Sequence, residues 1–213
     1  MGRKRLDLIV ATKNQGKLRE IRRLLRDLPL RVYGLDQFKA VPDVEEDGKS
    51  FAENALKKAR FYANLFGKMA LADDSGLEVD ALNGRPGIYS ARYAGRGATD
   101  WENRKKLLEE MAGLPLSKRW ARFVCVLAVA TPDGKEAVAE GSCRGRIGLK
   151  EVGRGGFGYD PLFFLPRYGK TMAQLSLEEK NRVSHRGKAL RKLRRLLKRL
   201  ADGRGIGISG RIC

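Results

Sequence analysis

Two adjacent carboxylates, Asp73 and Asp74, close a short apolar run, residues 69–72, and lead into Ser75 and Gly76. Read as a strand ending in a turn, this delivers hard oxygen donors to a strand end. With Glu45, Glu46 and Asp47 of an earlier acidic loop they could gather around Mg²⁺, whose oxygen preference and retained waters suit phosphate chemistry. Taken alone, the same pair also reads as a solvated turn with an Asp cap. Thr12, Lys13, Asn14, Gln15, Gly16 and Lys17 lie between a strand-like run and a helical pattern. Backbone N–H groups and the helix dipole favour an anion there, and Lys17 adds a full charge. The loop is not a Walker A sequence, because Ala11 stands at its first Gly and Leu18 at its Ser or Thr.

Gly153, Gly155 and Gly158 satisfy G-x-G-x-x-G as a string, but they precede Tyr159-Asp160-Pro161, which cannot open a helix, so a dinucleotide loop is excluded. His185 is the only histidine, so any imidazole chemistry must use it. Lys180 and Arg186 would share its surface as donors to a phosphate or a base edge. Cys125, between Val124 and Val126, reads as core.

The elements that must position these groups follow from periodicity and caps. Residues 6–11 read as a buried strand. Leu18, Ile21, Leu24, Leu25 and Leu28 then fall at helical spacing up to Pro29, and residues 30–33 return as a strand. Ser50 with Glu53 forms a capping-box pattern for a helix ending near Phe66 and Gly67. Residues 99–111 read as a helix. Residues 120–130 and 135–147 read as a hairpin around Thr131-Pro132-Asp133-Gly134, residues 148–158 as a Gly-rich loop, and Leu190, Leu193, Leu197 and Leu200 line one face of a final basic helix.

The chain has 213 residues, with 44 Lys and Arg against 25 Asp and Glu, a net charge of +19. A chain of this size can bury ~70% of the surface its unfolded form exposes, enough for one domain or two joined lobes. No apolar run approaches the ~20 residues of a membrane span, and three cysteines without C-x-x-C spacing argue against a disulfide framework or zinc site. A cytoplasmic protein is expected. The charge suggests nucleic acid, yet residues 32–181 carry only +2, against +7 in residues 1–31 and +10 in residues 182–213. No RNP, KH or zinc motif accompanies it, and the basic helix has no aromatic residue for base stacking.

Phe51-Ala52-Glu53-Asn54-Ala55, Ala72-Asp73-Asp74-Ser75-Gly76-Leu77-Glu78-Val79, the stretch 84–95 (GRPGIYSARYAG), Gly156-Phe157-Gly158-Tyr159-Asp160-Pro161 and Ser184-His185-Arg186-Gly187 occur in one order. Together they resemble the inosine triphosphate pyrophosphatase family, in particular its bacterial XTP/dITP diphosphatase branch, over about residues 6–200. The resemblance implies a two-lobed α/β fold, a mixed central sheet flanked by helices, and an active-site cleft between lobes. A single domain over residues 1–201 is expected, and the tail over residues 202–213, which is Gly-rich and outside the resemblance, reads from its composition as frayed. The resemblance also implies a homodimer and Mg²⁺-dependent hydrolysis of ITP, dITP and XTP to the monophosphate and pyrophosphate, while the lack of an apolar span and of a nucleic-acid motif predicts no membrane and no specific nucleic-acid partner. The alternatives are a pyrophosphatase for another modified nucleotide and, from a different class, a basic nucleic-acid-binding protein using the charged ends.

By the same resemblance, Thr12, Lys13, Asn14, Gln15, Gly16 and Lys17 correspond to the triphosphate cradle, Glu45 and Asp74 to metal carboxylates, and Asp74 to the general base. Ser75, Phe157, Gly158, Tyr159, Asp160, Lys180, His185 and Arg186 correspond to substrate contacts. Lys13 stands where the family usually has Gly, and Gln174 where Glu is common.

Overall fold

The computed structural model describes residues 5–201 and 210–212. In chain order the elements are β1 (Leu6–Ala11), α1 (Gln15–Leu25), β2 (Leu30–Gly34), α2 (Phe51–Phe66), β3 (Met69–Val79), α3 (Asp100–Glu110), β4 (Trp120–Ala130), β5 (Glu136–Ile147), β6 (Phe163–Leu165), β7 (Lys170–Thr171), α4 (Leu177–Val183), α5 (His185–Ala201) and β8 (Gly210–Ile212). The strands form one sheet in the order β2-β1-β3-β4-β5-β6-β7, with β8 also pairing β5. It is mixed: β1 runs parallel to β2 and β3, and β5 antiparallel to β6. The expected α/β class with a mixed sheet and flanking helices is what the chain adopts. Two compact units result, one of Met1–Asp74, Cys125–Gly141 and Arg186–Cys213, the other of Ser75–Val124 and Ser142–His185.

In the first unit β1 has parallel neighbours on both sides and Leu8 to Ala11 are buried, which is why this strand reads as an unbroken apolar run. Leu18, Ile21 and Leu25 of α1 pack with Leu190, Leu193 and Leu197 of α5 in one apolar cluster that includes Leu8, Val10 and Leu71. α1 stops at Leu25, short of Pro29, while Leu28 stays buried beyond its end. α2 starts at Ser50, whose hydroxyl accepts the Glu53 amide at 3.2 Å, and ends at Gly67 in the left-handed region, φ 57°. The expected capping box is shifted by one residue, since the Glu53 carboxylate takes the Lys49 amide at 2.7 Å.

The turn expected at residues 73–76 is corrected: β3 runs without a break from Met69 to Val79. Asp, Ser and Gly are turn formers by composition, but the flanking apolar residues are buried and the sheet overrides local preference.

In the second unit Leu77, Val79, Leu107, Met111, Phe123, Ile147, Phe163 and Met172 form the core. α3 carries the full Thr99/Glu102 capping box. Arg119 is buried and donates to the carbonyls of Met111, Ile147 and Gly148, fixing the point where the Gly-rich loop begins. α4 has no counterpart in the periodicity reading, although Ser176 and Glu179 form another capping box. Gln174, the departure from the family's Glu, accepts the Thr171 amide at 2.8 Å. Of the tail, residues 202–209 and 213 lie outside the described residues, and β8 runs parallel to β5 at Ala137, Val138 and Ala139. Among the described residues no helix is long and apolar enough to cross a membrane.

Candidate active site

Successive residues of a strand point to opposite faces, so Asp73 and Asp74 enter different environments, and their expected joint hold on one cation is corrected. Asp73 is fully buried. Its carboxylate meets Lys17 Nζ at 2.6 Å and Arg186 Nε at 2.7 Å, and Cys125 Sγ donates to it at 3.2 Å. Arg186 and Lys17 together overcome burial and hold the Asp73 carboxyl well below the usual carboxylate range. Cys125 is buried, as expected of core, but its thiol also serves this network, and burial pushes it well above its usual value.

Arg186, expected among the substrate contacts, is drawn into the same network. Its guanidinium is fully buried, with Nε on Asp73 and Nη1 on Glu20 Oε2 at 2.5 Å. A buried guanidinium requires paired carboxylates, and Glu20 sits on the inner face of α1 to supply the second. Arg186 therefore serves Asp73, and through it Lys17.

Asp74 is the complementary case. Burial raises its pKa above the ordinary value, and its Oδ2 is buried without a hydrogen-bond partner. Its nearest cation is Lys58, whose Nζ stands 3.8 Å from Asp74 Oδ1 and 2.8 Å from both Glu46 Oε1 and the Asp73 carbonyl oxygen. Glu46 pairs with Lys58 and Asp47 with Lys57, which leaves Glu45 as an exposed carboxylate of this acidic run with no ion pair among the described residues. No group of three or more His, Cys, Asp or Glu suited to a metal occurs among the described residues. A partnerless buried carboxylate oxygen, with a second carboxylate in the adjoining loop, is the donor chemistry Mg²⁺ takes when phosphates and waters complete its shell.

The loop from Thr12 to Lys17 uses part of its own donor set. Thr12 Oγ1 accepts the Asn14 amide at 3.2 Å, and Asn14 Oδ1 caps α1 by accepting the Lys17 amide at 3.0 Å. Gln15 and Gly16 head the helix, where amides have no intrahelical acceptor. Lys13, in the place of the usual Gly, makes an exposed ion pair with Asp43 at 2.6 Å.

The second unit gathers a different set. Lys180 is buried, ion-paired to Asp160, and stands 4.5 Å from the centroid of the Phe157 ring. Asp160 also accepts the Phe157 amide at 2.9 Å. Gly156 makes room for that carboxylate, since a Cβ there would lie 2.0 Å from Asp160 Oδ2 and its φ is +76°. Asp160 is thus an organiser of the loop. Tyr159, expected to contact substrate, instead has its hydroxyl on the Ser90 carbonyl at 2.9 Å inside the core. Gly158 donates its amide to Asp100 and accepts from Arg104. His185 is buried with its ring stacked on Phe123, centroids 4.7 Å apart, and Ser75 is half-buried.

Lys58, Glu20 and Asn54 escaped sequence reasoning, whereas Glu46 was read only as a possible metal carboxylate and is instead paired with Lys58. The one signal for them is helical spacing: Asn54 and Lys58 are polar residues four apart on a face of α2 otherwise formed by Phe51, Ala55, Ala59 and Tyr62.

A family model described as the Ham1 family matches residues 8–196. A dITP/XTP pyrophosphatase of Desulforamulus reducens is 51% identical over 195 residues, covering 92% of this chain and 97% of that protein. One of Geobacter sulfurreducens is 55% identical over 183 residues, covering 86% and 92%. Among solved structures, a HAM1 protein from Coxiella burnetii is similar with a TM-score of 0.81 and 44% identity, over 90% of this chain and 98% of that one.

Proposed function

The chain belongs to the Ham1 family, and we propose that it hydrolyses dITP and XTP, and with them ITP, to the nucleoside monophosphate and pyrophosphate, clearing these nucleotides before they enter DNA or RNA. The observation that carries the reading is the contrast between neighbours: Asp73 is saturated by cations, whereas Asp74 is buried with an oxygen that has no partner.

Lys17, held by Asp73, and the first-turn amides of Gln15 and Gly16 take phosphate oxygens, while Thr12, Lys13 and Asn14 shape and charge the loop. Asp74 and Glu45 would hold Mg²⁺, which when bound offsets charge on the phosphates and on the leaving pyrophosphate. Asp74 takes the proton of the water that attacks the α-phosphorus. Burial raises its pKa, the direction that makes a carboxylate a stronger base than an ordinary aspartate. Phe157 offers a ring face to the purine, and Lys180 and His185, with Ser75 nearby in sequence to Asp74, supply donors. Donors match the 6-keto oxygen of a deaminated purine. Adenine presents an amino group there, which would leave buried donors unpaired and so reject ATP.

The test is pyrophosphate release from dITP, XTP, ITP, ATP, GTP and CTP with Mg²⁺. Rapid turnover of the first three is expected. Equal rates on all six, or release from none, would overturn the assignment. The enzyme works as a homodimer in the cytoplasm: Tyr89 and Trp101 are both more than half exposed and suit a subunit interface, and the buried free thiols Cys125 and Cys143 suit a reducing compartment. Light scattering giving the 23.8 kDa mass of one chain would refute the dimer.

A further inference from the structure

Asn54 is an uncharged residue with 0% exposure beside the carboxylates, and both ends of its carboxamide have definite neighbours. Its Oδ1 accepts the Gly48 amide at 2.8 Å, which pins the last residue of the acidic run to the first turns of α2. Gly48 permits that approach, since a Cβ on it would fall 2.6 Å from Asn54 Oδ1. At the other end the carboxamide lies against Asp74 and favours its charged form. The approach stops short of a full hydrogen bond, and Asn54 Nδ2 and Asp74 Oδ2 are both buried without a partner. A buried amide nitrogen and a buried carboxylate oxygen left open side by side are costly unless something uses them.

We propose that Asn54 is a positioning residue that ties the acidic loop to Asp74, its oxygen clamping the loop at Gly48 and its nitrogen fixing the carboxylate that activates water. Lys58, one helical turn along, bridges Glu46 to Asp74 by charge. Asn54 makes the parallel link without adding charge, so it orients Asp74 without competing for a cation. The inference deepens the proposed reaction and rests on Asp74 being its base.

The test uses Asn54→Ala and Asn54→Asp in the full-length protein, with hydrogen exchange at the Gly48 amide and steady-state kinetics on dITP. Asn54→Ala should speed Gly48 exchange about tenfold or more and lower kcat by a similar factor, from the loss of buried hydrogen-bond partners. KM should change less than about threefold. Asn54→Asp keeps the oxygen that holds Gly48 and loses the donor, so Gly48 stays protected while kcat still falls; it also keeps the idea testable if the Ala variant fails to fold. An Asn54→Asp enzyme with wild-type kcat, or an Asn54→Ala protein with Gly48 still protected, overturns the proposal. A wild-type protein that leaves dITP and XTP uncut would instead remove the reaction on which the proposal rests, a result read separately from exchange at Gly48.

Discussion

Neutralising Asp73 and neutralising Asp74 should have opposite consequences, although the two substitutions are chemically identical and one residue apart. Asp73→Asn removes the charge that compensates Lys17 and Arg186 inside the first unit. Arg186 keeps Glu20, but the carboxylate side of a buried pair is gone, and breaking such a pair by removing one partner costs about 3–5 kcal/mol. At ~2–4 °C per kcal/mol for a chain of this size, the melting temperature should fall by about 10 °C. The pH dependence has a definite sign. The Asp73 carboxyl is held below its unfolded value, so its stabilisation is complete above the ordinary aspartate range near 3.8 and is lost as pH falls through the lower folded value. Asp73→Asn should therefore lose stability at pH 7 and flatten the acid limb. Asp74 is raised by burial, so its charged form opposes folding above its folded pKa. Asp74→Asn should be at least as stable as wild type at neutral pH, yet inactive. Urea denaturation between pH 3 and 7 with turnover at pH 7 separates the cases. An Asp73→Asn protein within about 1 kcal/mol of wild type, or an active Asp74→Asn enzyme, would refute the assignment of the two carboxylates.

Lys17→Ala should chiefly raise KM for dITP if the ammonium binds ground and transition states alike, and an unchanged KM at full activity would remove Lys17 from the phosphate site. Gly156→Ala should impair use of deaminated purines without destabilising the first unit, because its Cβ would displace the Asp160 carboxylate that holds Phe157 and Lys180. Wild-type kinetics in that variant would show that the loop does not contribute to base recognition.

Where local chemistry decides structure, the sequence was informative. The helical spacing of Leu18, Ile21 and Leu25, the cap at Ser50 and the left-handed Gly67 mark the same boundaries in the fold to within a few residues. It misled at residues 73–76, where a run of turn formers is carried through a strand by buried neighbours. The motif around Arg186 exposes its type and not its environment. Glu20 lies 166 residues away, and only the packing of α1 against α5 brings it to the guanidinium. Lys58 and Asn54 were silent for the same reason, since a polar residue on a helix face is ordinarily solvated and its burial is a tertiary fact.

Burial also changes the meaning of the +19 charge. Lys17 and Arg186 come from the two strongly basic ends, and both are turned inward onto Asp73. Lys58 and Lys180 are likewise buried against carboxylates. These four cations match internal anions, so they add little to an outer field. The exposed surplus sits on α1 and α5, as Arg19, Arg23, Arg195, Lys198 and Arg199, on helices that pack together through Leu18, Ile21 and Leu193. A field from that face would raise the encounter rate of a triphosphate without contacting it. Steering of this kind acts on kcat/KM and is screened by salt, whereas the buried cations, shielded from solvent, keep their effect at high ionic strength.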